Sequence, residues 1–236
     1  EYYASGKILD RRIAPGTASI MHGPAMSREQ AVAALETGIQ LALDFGSEVD
    51  IFGAGEMGIG NTTPSTAIAA VLTGRPVAEL TGRGAGLPQP LMPHKIKVIE
   101  TALEVNKPDA NDGVDILAKV GGFEIGAIAG LILGAAVQRK PMVVDGFISS
   151  AGALLAQALC PMTTDYMIAA HRSQEPGHKA MLEKLGKEGL LDLKMRLGEG
   201  SGAALAMHLT DAAYRVMTEM ATFDGAAVTI KGINKF

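Results

Sequence analysis

The run IGAIAGLILGAAV, residues 125–137, allows fewer solutions than any other part of this chain. It has no polar side chain on any face, and a helix apolar all round must be covered on every side. Its thirteen residues are too few to cross a bilayer, which takes about 20. Gly126, Gly130 and Gly134 recur at helical spacing and leave one flank on which another backbone can lie directly. The run therefore predicts a buried helix with close neighbours. A chain of 236 residues is long enough to supply that cover, as one large domain or a main domain with a small appendage.

The rest of the chain alternates in a matching rhythm. Ser27 and Gln30 stand at capping-box spacing ahead of Val32, Leu35, Ile39 and Leu43, which predicts an amphipathic helix over 27–45. VDIFGAG reads as a short strand, and TTPSTAIAAVLTG as a helix with Thr63 as N-cap and Pro64 in its first position. RPVAELTGRGAG repeats the pattern of an apolar run leading into glycines, and KIKVIETALEVN returns to helix. KPMVVDGFISSAGALLAQAL then reads as strand, Asp-Gly turn and helix, YMIAAHRS as a strand, and PGHKAMLEKLG as a helix. The expected class is α/β: a doubly wound, mostly parallel sheet with helices on both faces and a smaller helical part. Many small residues, 29 glycines among them, with only 4% aromatics suit helices packed closely on such a sheet. The expected division is an extended opening segment (1–26), a Rossmann-like α/β domain (27–200), and a C-terminal helix and tail (201–236) belonging to the smaller helical region. Apolar runs end at Gly53, Gly82, Asp145 and His171; ligands bind beyond the carboxyl ends of parallel strands, so these loops should line one site.

A formal net charge of -4 provides no positive field for nucleic acid or an anionic membrane, leaving small-molecule chemistry as the expectation. Cys160, the single cysteine, excludes an intrachain disulfide and points to a reducing, cytoplasmic setting. The N-terminus lacks the apolar core of a signal peptide. His22, His94, His171, His178 and His208 form no pair at metal-ligand spacing, so no metal is expected. The nucleophile-elbow and Walker signatures of hydrolases and kinases are missing.

Three stretches can carry chemistry. Gly53, Gly55 and Gly58 have dinucleotide-fingerprint spacing after a strand, with Glu79 where a ribose-binding acid would stand. A nicotinamide-dependent oxidoreductase using this 53–58 loop is therefore an alternative. Against it, Gly60, Asn61 and Pro64 delay the helix by more than a turn, whereas the fingerprint needs its last glycine inside the helix's opening turn. Glu56 would face a pyrophosphate unfavourably but could take ribose hydroxyls or a cationic ring, and Asn61, Thr62 and Thr63 suit one phosphate and a sugar. Gly82, Arg83 and Gly84, followed by Lys95, combine backbone N–H groups with a lysine as a phosphate requires. Glu199 stands between Gly198 and Gly200, ahead of a small-residue helix. A helix mouth favours anions, which leaves Glu199 either a helix-end acid or an ionised base held beside a substrate.

The stretches GEMGIGNTTPSTAIAAVLTG, DGVDILAKVGGFEIGAIAGLILGAA, VDGFISSAGALLA, HRSQEPGH and RLGEGSGAALAM occur in this order. Together they closely resemble nicotinate-nucleotide-dimethylbenzimidazole phosphoribosyltransferase, the CobT family, from about GPAMS to EMATF. The resemblance implies a homodimer that needs no cofactor. Its reaction would transfer the 5-phosphoribosyl group from nicotinate mononucleotide to 5,6-dimethylbenzimidazole or a related base. The products would be α-ribazole 5'-phosphate, inverted at the anomeric carbon, and nicotinate, in assembly of the cobalamin nucleotide loop. The family's general base maps onto Glu199, which would accept the ring N–H proton of the attacking base, with Gly198 and Gly200 letting the flat ring approach. Glu56 falls in the ribose and nucleotide loop, with Gly58, Asn61 and Thr62 near the phosphate. Lys95 matches a lysine near that phosphate. Met57 and Leu197 match apolar positions that sandwich the base, and Ser173 a polar position in the nucleotide loop. The resemblance also implies a departure: family members carry a longer N-terminal region that forms part of the base pocket. A catalytically incomplete nucleotide-binding fragment, a short paralogue and half of a split enzyme are accordingly alternatives.

Overall fold

A computed structural model describes residues 8–223, 225 and 226. Residues 1–7 of the expected opening segment, and 224 and 227–236 of the expected tail, lie outside the described residues. The helices are α1 (Arg28–Phe45), α2 (Thr62–Thr73), α3 (Val77–Leu80), α4 (Met92–Asn106), α5 (Gly113–Val120), α6 (Phe123–Val137), α7 (Phe147–Leu159), α8 (His178–Leu185) and α9 (Ser201–Glu219). Three short strands, β1 (Phe52–Gly53), β2 (Met142–Val144) and β3 (Met167–Ala169), form a parallel sheet in the order β1-β2-β3. The class is thus mixed α/β with a parallel sheet.

The apolar run is α6, buried against α1, and its glycines make the contact. A Cβ on Gly130 would fall on the Leu35 carbonyl oxygen, and one on Gly38 of α1 would fall on that of Ala127. The two backbones lie on one another. The capping box forms as expected, the Gln30 N–H donating to Ser27 Oγ at 3.2 Å and the Ser27 N–H to Gln30 Oε1 at 3.0 Å.

Both faces of the sheet are covered. Met142, Val144 and Met167 point into the main core with α6, α7 and α8, while Val143 and Ala170 meet Ala203 and Ala206 of α9. This is the period-two alternation of a strand, and it fixes α9 on the face opposite α7. Among the described residues no helix is long and apolar enough to cross a membrane.

Two local expectations change. RPVAELTGRGAG contains no strand: Val77–Leu80 is one helical turn, α3. Buried Val77 and Leu80 stand three apart, a helical rather than a β interval, and Thr81 Oγ1 ties the turn by donating to the Val77 carbonyl at 2.7 Å. Helix α2 begins at Thr62 with Asn61 as N-cap, rather than at Pro64 with Thr63 as N-cap. Pro64 still falls in the first turn, where its missing N–H costs nothing. Asn61 makes no side-chain cap because its amide is turned to Glu56 instead.

Candidate active site

Beyond the carboxyl ends of the three strands the chain turns through residues 54–61, 145–146 and 170–177, and the first turn of α9 arrives from the opposite side. Between them lies a cleft of about 570 Å³ lined by Glu56, Met57, Phe147, Arg196, Leu197 and Glu199, among others. Gly58, Thr62, Gly84, Glu175 and Gly198 also reach it.

Glu199 sits at the mouth of α9 in a backbone few residues adopt. Gly198, Glu199 and Gly200 have φ of 78°, 58° and 73°, three left-handed residues in succession. Glycine adopts that region freely, whereas a glutamate there is strained by about 1–2 kcal/mol. The turn is held in place by its neighbours. The Glu199 N–H donates to the Glu56 carbonyl oxygen at 2.9 Å. Ser201 Oγ donates to the Gly198 carbonyl at 2.8 Å. A Cβ on Gly55 would collide with the Gly200 backbone nitrogen, so the β1 loop and the α9 turn run back to back. The Glu199 side chain is exposed and has no hydrogen bond or ion pair among the described residues.

Glu56 is held differently. Its Oε2 accepts from the Gly58 N–H at 2.6 Å and from Asn61 Nδ2 at 2.9 Å. Burial pushes its carboxyl above the ordinary glutamate value; those two hydrogen bonds oppose the rise, while the charges of Asp145 and Glu124 add to it.

Lys95 Nζ donates to Thr62 Oγ1 at 2.9 Å and to the Gly82 carbonyl at 2.8 Å. Burial lowers its pKa, with the negative charge of Glu175 pulling the other way. It lines a neighbouring cleft of about 470 Å³, with Arg83 and His94, that shares Thr62 and Ala85 with the first. Lys95 and Arg83 thus stand with the amino end of α2 around this neighbouring cleft, where an anion would be favoured.

The remaining anticipated residues lie around this centre. Asn61 stands behind Glu56, and Gly82 contributes the carbonyl under Lys95. Gly200 lines an adjoining cleft of about 580 Å³ with Gly55 and Met207. Ser173 is not in the main cleft: it lines a separate, polar one of about 500 Å³ with Arg172 and Lys179. Its Oγ accepts from the Glu175 N–H at 3.3 Å, and its own N–H donates to His178 Nδ1 at 2.9 Å. That bond leaves the ring proton on Nε2, which donates to Ser150 Oγ at 2.9 Å. Met57 and Leu197 are not core residues, being 70% and 64% exposed. Gly58, the last glycine of the fingerprint spacing, has a φ of 70° and is separated by Ile59, Gly60 and the N-cap Asn61 from the first residue of α2, so it lies outside the opening turn that a dinucleotide fingerprint needs.

Sequence reasoning does not single out Arg196 or Glu175. Arg196 follows no recognisable spacing; its guanidinium donates to the Gly84 carbonyl at 3.4 Å across the cleft. Glu175 accepts from the Gly84 N–H at 3.1 Å. Asp145 is visible in the sequence only as the residue ending a strand.

A family model described as "Phosphoribosyltransferase" (DBI_PRT) matches residues 2–228. The chain is 61% identical over 225 residues to the nicotinate-nucleotide–dimethylbenzimidazole phosphoribosyltransferase of Syntrophotalea carbinolica, covering 95% of this chain and 64% of that protein. To the protein of the same name from Desulfotalea psychrophila it is 57% identical, over 94% of this chain and 63% of the relative. A crystal structure of CobT from Thermus thermophilus superposes with a TM-score of 0.88 at 41% identity, covering 94% of this chain and 66% of that one. The chain therefore spans just under two thirds of the length of these relatives.

Proposed function

Since the chain belongs to the DBI_PRT phosphoribosyltransferase family, we propose that it acts, like the relatives so named, on nicotinate mononucleotide and 5,6-dimethylbenzimidazole or a similar base. The products are α-ribazole 5'-phosphate and nicotinate. The observation that carries this reading is Glu199: an unpaired carboxylate at a helix mouth, held on the rim of a cleft between exposed Met57 and Leu197.

In this reading the aromatic base lies between Met57 and Leu197 with one ring N–H directed at Glu199. The unprotonated ring nitrogen attacks the anomeric carbon, and the electron pair of the breaking carbon–nitrogen bond goes to the nicotinate ring. The pyridinium thereby becomes a neutral leaving group that needs no acid. The benzimidazole gains positive charge as its bond forms, and Glu199 removes the proton from its other nitrogen. An ionised carboxylate stabilises that transition state more than the neutral ground state. Lys95, Arg83 and the amino end of α2 support an anion, so the 5'-phosphate is assigned to that side, with Gly58, Thr62, Gly82 and Gly84 around it. Glu56, reinforced by Asn61, faces the ribose hydroxyls. A homodimer, a cytoplasmic setting and independence of any metal or cofactor belong to the same reading.

The test is chromatographic detection of α-ribazole phosphate after incubation with both substrates, beside Glu199→Gln and with the Syntrophotalea carbinolica relative as positive control. Product from this chain and a loss of about 10²–10⁴-fold in the variant are expected. No product from this chain while the control turns over, with nicotinate mononucleotide still raising its Tm, would replace the proposal with a nucleotide-binding role.

A further inference from the structure

Helix α9 carries the base at its mouth but has no cap of its own: its N-cap is Gly200, and no side chain within the helix satisfies the first-turn amides. The missing acceptor comes from the sheet. Asp145 Oδ1 accepts from the Ala203 N–H, in the third position of α9, at 2.9 Å. Asp145 follows directly on β2, the central strand, and is only 1% exposed. Its other oxygen, Oδ2, is buried without a partner. A carboxylate in such a place is costly unless a helix end or a cation answers it.

The surrounding atoms force the meeting. His171, at the end of β3, places Nε2 3.8 Å from Asp145 Oδ1. A Cβ on Gly202 would strike the His171 ring and stand 2.7 Å from Asp145 Oδ1, so only glycine lets the helix start come this close. The ends of two strands and the start of α9 thus converge on one side chain. Gly55 against Gly200, and the Glu199 N–H on the Glu56 carbonyl, then transmit that placement to the base.

We propose that Asp145 is a positioning residue: a cap supplied from the sheet that fixes the first turn of α9 and thereby aims Glu199 at the cleft. This rests on the assignment of Glu199 as general base, although its structural half can be read without any turnover. Asn can accept the Ala203 N–H as Asp does, whereas Ala cannot.

The experiment compares Asp145→Asn, Asp145→Ala and Gly202→Ala with the parent chain. Two readouts are taken: amide hydrogen exchange over 201–206, and kcat and KM for α-ribazole phosphate formation. Asp145→Ala and Gly202→Ala are expected to lose protection in the first turn of α9 and to lower kcat by about 10–100-fold, with KM for nicotinate mononucleotide within about 3-fold of the parent. Asp145→Asn is expected to restore protection and most of kcat. Unchanged exchange in Asp145→Ala overturns the proposal whether or not the parent turns over. So does a rise in KM that accounts for the whole loss, or an Asn variant as impaired as Ala. Should Asp145→Ala not fold, Gly202→Ala carries the same test, since it pushes the helix start away from the cap while leaving the Asp145 side chain in place. A parent without product beside protected, Asp145-dependent exchange would remove the assigned reaction and leave the cap standing.

Discussion

The Glu199 N–H donates to the carbonyl oxygen of Glu56 at 2.9 Å, so two of the acids that line the cleft are tied to each other through backbone. Glu56 is in turn fixed by Gly58 and Asn61. Glu56→Ala leaves both donors without their acceptor in a half-buried loop, at a cost of about 1–3 kcal/mol. Thermal melts should show Tm lower by roughly 3–8 °C. Glu56→Gln keeps a carbonyl acceptor for these donors and should lose less than half as much; equal losses would refute the loop-holding role.

Gly55 and Gly200 meet back to back, yet they should tolerate alanine unequally. A Cβ at Gly55 runs into backbone that cannot move away, whereas one at Gly200 finds only ordinary contacts at 3.6 Å. Gly200→Ala carries the left-handed strain, about 1 kcal/mol, and Gly55→Ala the larger overpacking cost, about 2–3 kcal/mol. Urea denaturation of both variants decides it, and the reverse order would contradict the geometry.

His178 is buried and accepts the Ser173 N–H, and burial, reinforced by the nearby charges of His171 and Arg172, pushes its pKa down to about 3. An unfolded histidine titrates near about 6.5, so the unfolded chain takes up the proton first. Stability contributed by His178 is therefore complete above about pH 6.5 and declines as pH falls towards 3, by about 2 kcal/mol at pH 5. His178→Gln should be less stable at about pH 8 and show a shallower fall between about pH 7 and 5. A parent chain equally stable at about pH 7.5 and pH 5 would rule this out.

Lys95 reaches two oxygens of the protein and lies beside the anion-favouring end of α2. Lys95→Met should weaken binding of nicotinate mononucleotide by about 10–100-fold, the value of one charge-assisted hydrogen bond. Isothermal titration measures it, and inorganic phosphate as competitor should lose affinity in parallel. Retention of parent affinity would move the phosphate elsewhere in the cleft.

Met57 and Leu197 are largely exposed. Truncating either to alanine should change stability by no more than about 0.5 kcal/mol while raising KM for dimethylbenzimidazole several-fold and leaving affinity for nicotinate mononucleotide unchanged. A destabilisation typical of a core position would show that they pack in the protein rather than on the ring.

Features set by local spacing are legible in the sequence alone. Ser27 and Gln30 announce their capping box, and Gly126, Gly130 and Gly134 announce a helix lying on another backbone. Val77 and Leu80 mislead because a four-residue apolar run can satisfy a strand or a single helical turn, and only burial in the folded chain chooses between them. Asn61 is hidden as a cap for a related reason: its amide has a better partner in Glu56. In the site, Glu199 stands out because its two glycines are adjacent in sequence. Asp145, Glu175 and Arg196 act on Ala203 and Gly84, far away along the chain, and no spacing rule can display a partner that only folding brings near.

The left-handed turn at 198–200 also bears on how this site can evolve. Position 199 must satisfy a backbone that glycine enters freely and asparagine and aspartate more readily than most other residues, as well as, in the proposed reaction, the demand for a carboxylate. Asparagine meets the first condition and aspartate meets both, but aspartate is one methylene short of the reach of glutamate. A library randomised at this codon should therefore return glycine and asparagine variants that fold at least as stably as the parent but make no product, with weak activity from aspartate: under the role proposed for Glu199, stability and catalysis pull this position in opposite directions.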